Sequence, residues 1–211
     1  MFDNIIKTFK ENYTATFAKH GATPEGVYWL NQERMNLRHK KMLQIMDNDL
    51  FENETPTLLD IGCGYGDLLN YIKANDLNIK YSGIDLVEDM INHAQSKHPD
   101  SQFECVNALD IPEDCQYDYV VCNGILTCKY DRSALEMTEF MKVLIAKLFS
   151  LARCGVAFNT YSTYVNWFHQ ESYYKSPAEL LVYCLENITH KVRLDHAYPL
   201  YEYCIYLYKN D

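Results

Sequence analysis

Phe2, Ile5, Ile6, Phe9, Tyr13 and Phe17 recur at intervals of three and four, which puts them on one face of a helix. His20-Gly21-Ala22 breaks the pattern, with Gly21 suited to a helix C-cap. Thr23-Pro24 reads as an N-cap with Pro at the first helical position, and a longer helical region through Leu37, Met42, Leu43 and Met46 is expected to end near Asp49. Beyond it the period changes. Short apolar runs near Thr57–Gly62, Ile79–Asp85, Gln102–Asn107, Tyr117–Asn123 and Val156–Asn159 predict strands. Between them lie helices opening at Asp67, over Val87–Lys97, and over Ala134–Ser150 behind the capping box Ser133-x-x-Glu136. Ser176-Pro177-Ala178-Glu179 starts a last helix through Leu180–Glu186, and Lys191–His196 and Glu202–Tyr208 are two final strands joined by Pro199-Leu200. Alternating strands and helices predict an α/β fold, a mostly parallel sheet with helices on both faces. Residues 1–50 form an N-terminal helical cover before the first strand, and residues 51–211 form the sheet-bearing domain.

The junction of the first predicted strand and helix carries the most chemistry. Leu58-Leu59-Asp60-Ile61 runs into Gly62-Cys63-Gly64-Tyr65-Gly66, with glycines at alternate positions. Glycine permits unusual backbone angles and lets a ligand lie against bare main chain. The spacing is G-x-G-x-G, with Asp67 following Gly66, and not the dinucleotide pattern G-x-G-x-x-G. That difference points away from a pyrophosphate and towards a nucleoside without phosphate, for which S-adenosylmethionine is the natural candidate. A second strand, Lys80 to Asp85, ends in an acid about twenty residues on, where α/β nucleotide folds place a ribose-binding carboxylate. Asp85 also fits a capping box with Glu88, and the two roles can coexist.

With these residues the chain resembles the class I S-adenosylmethionine-dependent methyltransferases, from Pro56 to the C-terminus. The resemblance implies a Rossmann-like, doubly wound, seven-stranded sheet with an antiparallel C-terminal hairpin, and a helical cover over the cofactor. It implies cofactor contacts from Asp60, Gly62, Cys63, Gly64, Gly66, Asp85 and Leu86. Phe103 to Pro112 resembles the family's third strand and adenine loop, which adds Asn107 and Ala108. The family usually has Asp where this chain has Asn107; its carbonyl can still accept a hydrogen bond from the adenine amino group. Tyr117 to Gly124 resembles the fourth strand, which brings Asn123 to the methionine end. Family members pair an arginine before the first strand with the cofactor's carboxylate; Arg38 fits, or is a solvent-facing helix charge.

Methyl transfer from a sulfonium is an in-line displacement driven by orientation, so no Ser-His-Asp or Cys-His constellation is required. A base would help a hydroxyl acceptor. His196, at a strand end among tyrosines, is favoured over His169, in the aromatic stretch Tyr161–Tyr174, with His20 a third candidate; for any single one of them a hydrogen-bonded structural histidine is the stronger reading. The stretch Tyr161–Tyr174 is the expected acceptor pocket. Trp29 packs on the cofactor or anchors the cover. Ala157 to Thr160 and Leu194 to Tyr203 resemble methyltransferases of surface-glycan synthesis, so the acceptor is expected to be a small molecule or glycan precursor. A non-catalytic cofactor-binding subunit and a nicotinamide-dependent oxidoreductase are the rival readings.

Composition narrows the partners. The net charge of −10 over 211 residues argues against nucleic acid, whose phosphates demand Lys and Arg. No run is long and apolar enough to span a bilayer, and Met1 to Ile6 has neither the basic start nor the apolar core of a signal peptide. Eight cysteines without a C-x-x-C pair read as small buried hydrophobes of a reducing cytoplasm, and no metal site is expected. Of the Asn-x-Thr sequons at Asn12, Asn53 and Asn187, none has meaning without secretion.

Overall fold

The computed structural model describes residues 2–47, 55–114 and 116–209. The expected helix end near Asp49, the 50/51 boundary and the sequon at Asn53 lie outside the described residues. The strands are β1 (Thr57–Ile61), β2 (Lys80–Asp85), β3 (Gln102–Cys105), β4 (Tyr117–Cys122), β5 (Ala152–Ser162), β6 (Tyr174–Lys175), β7 (Val192–Asp195) and β8 (Glu202–Tyr208). The helices are α1 (Asp3–His20), α2 (Gln32–Leu43), α3 (Asp67–Ala74), α4 (Glu88–Lys97), α5 (Ala134–Leu151) and α6 (Pro177–Asn187).

The strand order is β3-β2-β1-β4-β5-β8-β7, with the two-residue β6 attached to the end of β5. Strands β1 to β5 are parallel, and β8 runs antiparallel to both β5 and β7. The expected doubly wound sheet with its antiparallel hairpin is therefore present, and β6 is an addition to it. The order reverses between β1 and β4, which opens a crevice at their carboxyl ends.

Alternation along the strands sorts side chains to two cores. Leu59, Ile61, Val120 and Phe158 face α5 and α6, together with Ile5 and Phe9 of α1. Leu58, Tyr81, Val121 and Ala157 face α2, α3 and α4. A third cluster, Val27, Met35, Tyr65, Val87 and Met90, joins the N-terminal segment to the glycine turn.

The N-terminal segment departs from expectation at one point. Thr23 caps a short 3-10 turn, Pro24–Val27, accepting from the Gly26 amide, and Tyr28 ends it in the left-handed region at φ 60°. Asn31 then starts α2 afresh, its side chain accepting from the Arg34 amide. Two capping residues eight apart thus split what the periodicity merged. Four cysteines (Cys63, Cys122, Cys184, Cys204) are buried as expected, whereas Cys105 is exposed. No helix among the described residues is long and apolar enough to cross a membrane.

Candidate active site at the carboxyl ends of the strands

β1 ends in a turn where Gly62, Gly64 and Gly66 take φ of 78°, 56° and 83°. These angles lie where side chains with a Cβ are strained. The Gly62 and Cys63 amides both donate to the Ile84 carbonyl at 2.9 Å, which sews the turn to β2. Gly66 leads into α3, where a Cβ would lie 3.2 Å from Phe103 and 3.3 Å from Ala94. A Cβ on Gly64 would meet Val27 at 3.4 Å, and so would point at the cover. Backbone angle, more than a ligand's approach, is what excludes a side chain there.

Asp85 closes the turn from the other side. One carboxylate oxygen accepts from the Gly64 amide at 2.9 Å and the other from Val87 at 2.9 Å. The capping-box reading is corrected: Val87 occupies the N-cap of α4 and has no side-chain cap bond. Burial pushes the Asp85 carboxyl up, and the amides of Val87, Gly64 and Leu86 pull it back.

Beside this turn a cavity of about 830 Å³, continuous with solvent, runs between sheet and cover. Gly62, Gly64, Asp85 and Leu86 form one wall, Asn107, Ala108 and Leu109 an end, and Phe9, Lys10 and Tyr13 of α1 the roof. The Asn107 carbonyl oxygen already accepts from the Leu109 amide at 3.2 Å, so an adenine contact would use its second lone pair.

A second cavity opens behind Gly62, Cys63 and Gly64, bordered by Asp60, Asp67, His39 and Asn123. Asp60 accepts the Tyr81 hydroxyl at 2.7 Å. Burial pushes its carboxyl up to about 7, against the Tyr81 hydrogen bond and helped by Asp85. Burial also raises Asp67, but hydrogen bonds from His39 and Gln32 outweigh it and leave that carboxyl low. His39 Nε2 lies 3.1 Å from Asp67. Burial holds the Cys63 thiol far above its usual range, so it is no nucleophile. The Asn123 side-chain oxygen is buried without a partner among the described residues, an acceptor awaiting a donor.

A third cavity lies across Trp29 and Gly124, walled by Tyr13, Tyr28, Cys128, Tyr161, Arg38 and Glu202. Arg38 is here and not at the glycine turn. Its guanidinium pairs with fully buried Glu202 at 2.9 and 2.8 Å and lies 3.9 Å above the Trp29 ring. The solvent-facing reading of Arg38 is thereby replaced, since the side chain is buried and paired.

The histidines lie elsewhere. His196 and His169 are both exposed, His196 against Tyr164 and Tyr203 and His169 accepting from the Glu171 amide. Neither borders the three cavities, nor does His20. Of the stretch Tyr161–Tyr174, Tyr161 alone reaches the third cavity, while Trp167 and Phe168 stay 67% and 64% exposed. Sequence reasoning missed Glu202, Asn159, Asp67 and His39. For Glu202 and Asn159 the available signal was a carboxylate or amide inside an apolar strand run, which must find a partner when buried.

Residues 59–145 match a family model described as a methyltransferase domain. A Mycobacterium tuberculosis protein, Rv1506c, named as a candidate methyltransferase, is 29% identical over 155 residues, covering 71% of this chain and 91% of its own. An uncharacterised Rickettsia prowazekii protein is 31% identical over 146 residues, 60% of this chain and 55% of its own. Magnesium protoporphyrin IX methyltransferase from Synechocystis, solved with S-adenosylmethionine, superposes with a TM-score of 0.65 at 16% identity, covering 97% of this chain and 96% of that one. The plantazolicin methyltransferase BpumL, solved with a substrate analogue and the demethylated cofactor, gives 0.62 at 15% identity and 98% of both chains. At such identities the superpositions speak for the fold; the family model and the sequence relatives speak for descent. Residues 59–145 thus carry a methyltransferase domain, and the chain over its whole length has the fold of these S-adenosylmethionine-binding methyltransferases.

Proposed function

We propose that this methyltransferase carries its methyl donor along the first and second cavities and receives a small-molecule acceptor, sugar-containing metabolites included, in the third. The observation that carries the reading is Asp85: a half-buried carboxylate at the end of β2, fixed by two amides and bordering the first cavity. Its oxygens retain lone pairs for ribose hydroxyls, and a charged acceptor strengthens such bonds. Leu86, Asn107 and Ala108 would enclose the adenine. Gly62, Cys63 and Gly64 would flank the methionine portion, with Asp60 and Asn123 accepting from its ammonium group. The donor supplies an electrophilic methyl on a sulfonium. The protein's task is to hold an acceptor atom in line with it and to exclude water, from which orientation alone supplies most of the acceleration. The roof from α1 and the ring of Trp29 serve that exclusion. With both candidate histidines on the surface, the reading dispenses with a histidine base and relies on the acceptor's own basicity.

The third cavity supports this acceptor class, its walls combining the rings and hydroxyls of Tyr13, Tyr28 and Tyr161. Such surfaces suit ligands with apolar faces and hydroxyl or amine edges. The test is to incubate the purified protein and S-adenosylmethionine with panels of sugar nucleotides and small amines, reading out S-adenosylhomocysteine. Turnover with a member of either panel is expected. Failure of S-adenosylmethionine to bind at saturating concentration, or tighter binding of NADH, would remove the reading.

A further inference from the structure

Val27 and Trp29 border all three cavities, so the indole stands where donor and acceptor spaces meet. Trp29 is held from both sides. Beneath it lies Gly124 at φ 94°, where a Cβ would come within 2.9 Å of the indole, so only glycine lets the ring approach. Above it lies Arg38, 3.9 Å from the ring centroid. The guanidinium is fixed by Glu202, whose second oxygen accepts from the Asn159 side-chain amide at 3.3 Å. Asn159 in turn accepts the Gly124 amide at 2.8 Å, which closes the circuit. Four residues, from α2, the end of β4, β5 and β8, thus hold one ring: Arg38 and Gly124 by contact, Glu202 and Asn159 through them. Glu202 and Asn159 are 0% and 1% exposed, and a buried carboxylate is kept only where its partners satisfy it.

Building on the assignment of donor and acceptor spaces above, we infer that Glu202 is a positioning residue: through Arg38 it holds Trp29 as the wall between the methyl donor and the acceptor. Arg38 Nε and one terminal nitrogen are committed to Glu202, and the other terminal nitrogen faces the Arg34 carbonyl at 3.5 Å.

The test uses the whole chain with Trp167→Phe, which leaves Trp29 as the one tryptophan of the two in the sequence. Acrylamide quenching without ligand reports the shielding of Trp29; the exposed Trp167, read in a Trp29→Phe chain, gives the open reference. Glu202→Gln should raise quenching of Trp29 towards that reference. The double variant Arg38→Met/Glu202→Gln, which buries no unpaired charge, should do the same if the single variant fails to fold. Calorimetry with S-adenosylmethionine supplies a double-mutant cycle. Trp29→Ala and Glu202→Gln should each weaken the donor about fivefold, with little further loss together, as expected for residues acting through one network. Independent structural damage would give additive losses. Trp29 shielded as in the parent in the double variant, or additive losses, would overturn the inference. Absence of donor binding to the parent would instead remove the donor assignment, while the quenching still decides on the circuit.

Discussion

Asp85 is the residue on which ligand recognition turns. Its two amide partners come from the glycine turn after β1 and from the N-cap of α4, so it fixes the turn and keeps lone pairs for a ligand. Asp85→Ala should weaken S-adenosylmethionine binding by about 1.5–3 kcal/mol, the scale of hydrogen bonds to a charged group. Isothermal calorimetry measures this, and unchanged affinity in a folded variant would contradict the ribose assignment. Asp60 gives a pH signature. Its folded carboxyl sits near 7, above its ordinary 3.8, so the folded state takes up a proton that the unfolded state has released. Stability from this group is therefore full below about pH 4 and is lost as pH rises towards 7. Relative to Asp60→Asn, which can still accept from Tyr81, the parent's melting temperature should fall between pH 4 and 7 and hold steady above. A constant difference across that range would mean Asp60 is ionised throughout. Both carboxylates could be singled out in the sequence, Asp85 as the last residue of a predicted strand and Asp60 just before the glycine turn. Arg38 was not, since its partner Glu202 lies 164 residues away.

Among elements, α2 is the one whose boundaries matter to the site, because it carries both Arg38 and His39. Its start is set by Asn31, whose side chain accepts from the Arg34 amide at 2.9 Å. Asn31→Ala should cost about 1 kcal/mol in urea unfolding, the usual worth of such a cap. No loss would show that tertiary contacts alone fix the helix start. The glycine turn and α3 form the second such unit. Gly66→Ala combines φ 83° with a Cβ 3.2 Å from Phe103, and should destabilise by about 1–3 kcal/mol, the cost of a side chain held in a strained backbone region. A variant as stable as the parent would mean the turn relaxes without cost. Strand and helix positions could be read from period and caps, as in Ser133 and Glu136, whose reciprocal bonds form the expected capping box at α5. The split between the 3-10 turn and α2 was missed because the helical period was followed past the second cap, Asn31.

For the molecule as a whole, the crevice is made by three separate pieces: the strand ends, α1 as roof, and Trp29 as inner wall. A ligand that joins them should stabilise the entire fold by mass action. S-adenosylmethionine at a hundred times its dissociation constant should add about 2.7 kcal/mol. Differential scanning fluorimetry should then show a rise of several degrees, whereas NADH at the same concentration should leave the melting temperature unchanged. Equal shifts with both would argue that the crevice does not discriminate. The sequence by itself determined the alternation of strand and helix, the glycine turn and the acid after it, because each depends on neighbours within a few residues. It also carried the sheet's direction, since parallel strands need a helix between them. Only the tertiary structure decided what the long-range charges do. It paired Arg38 with Glu202 and left His169 and His196 on the surface. It also set Trp29 over Gly124. Desolvation is the reason: a charge entering the interior must find its counter-charge wherever the chain brings one, and that meeting is set by packing and not by spacing along the sequence.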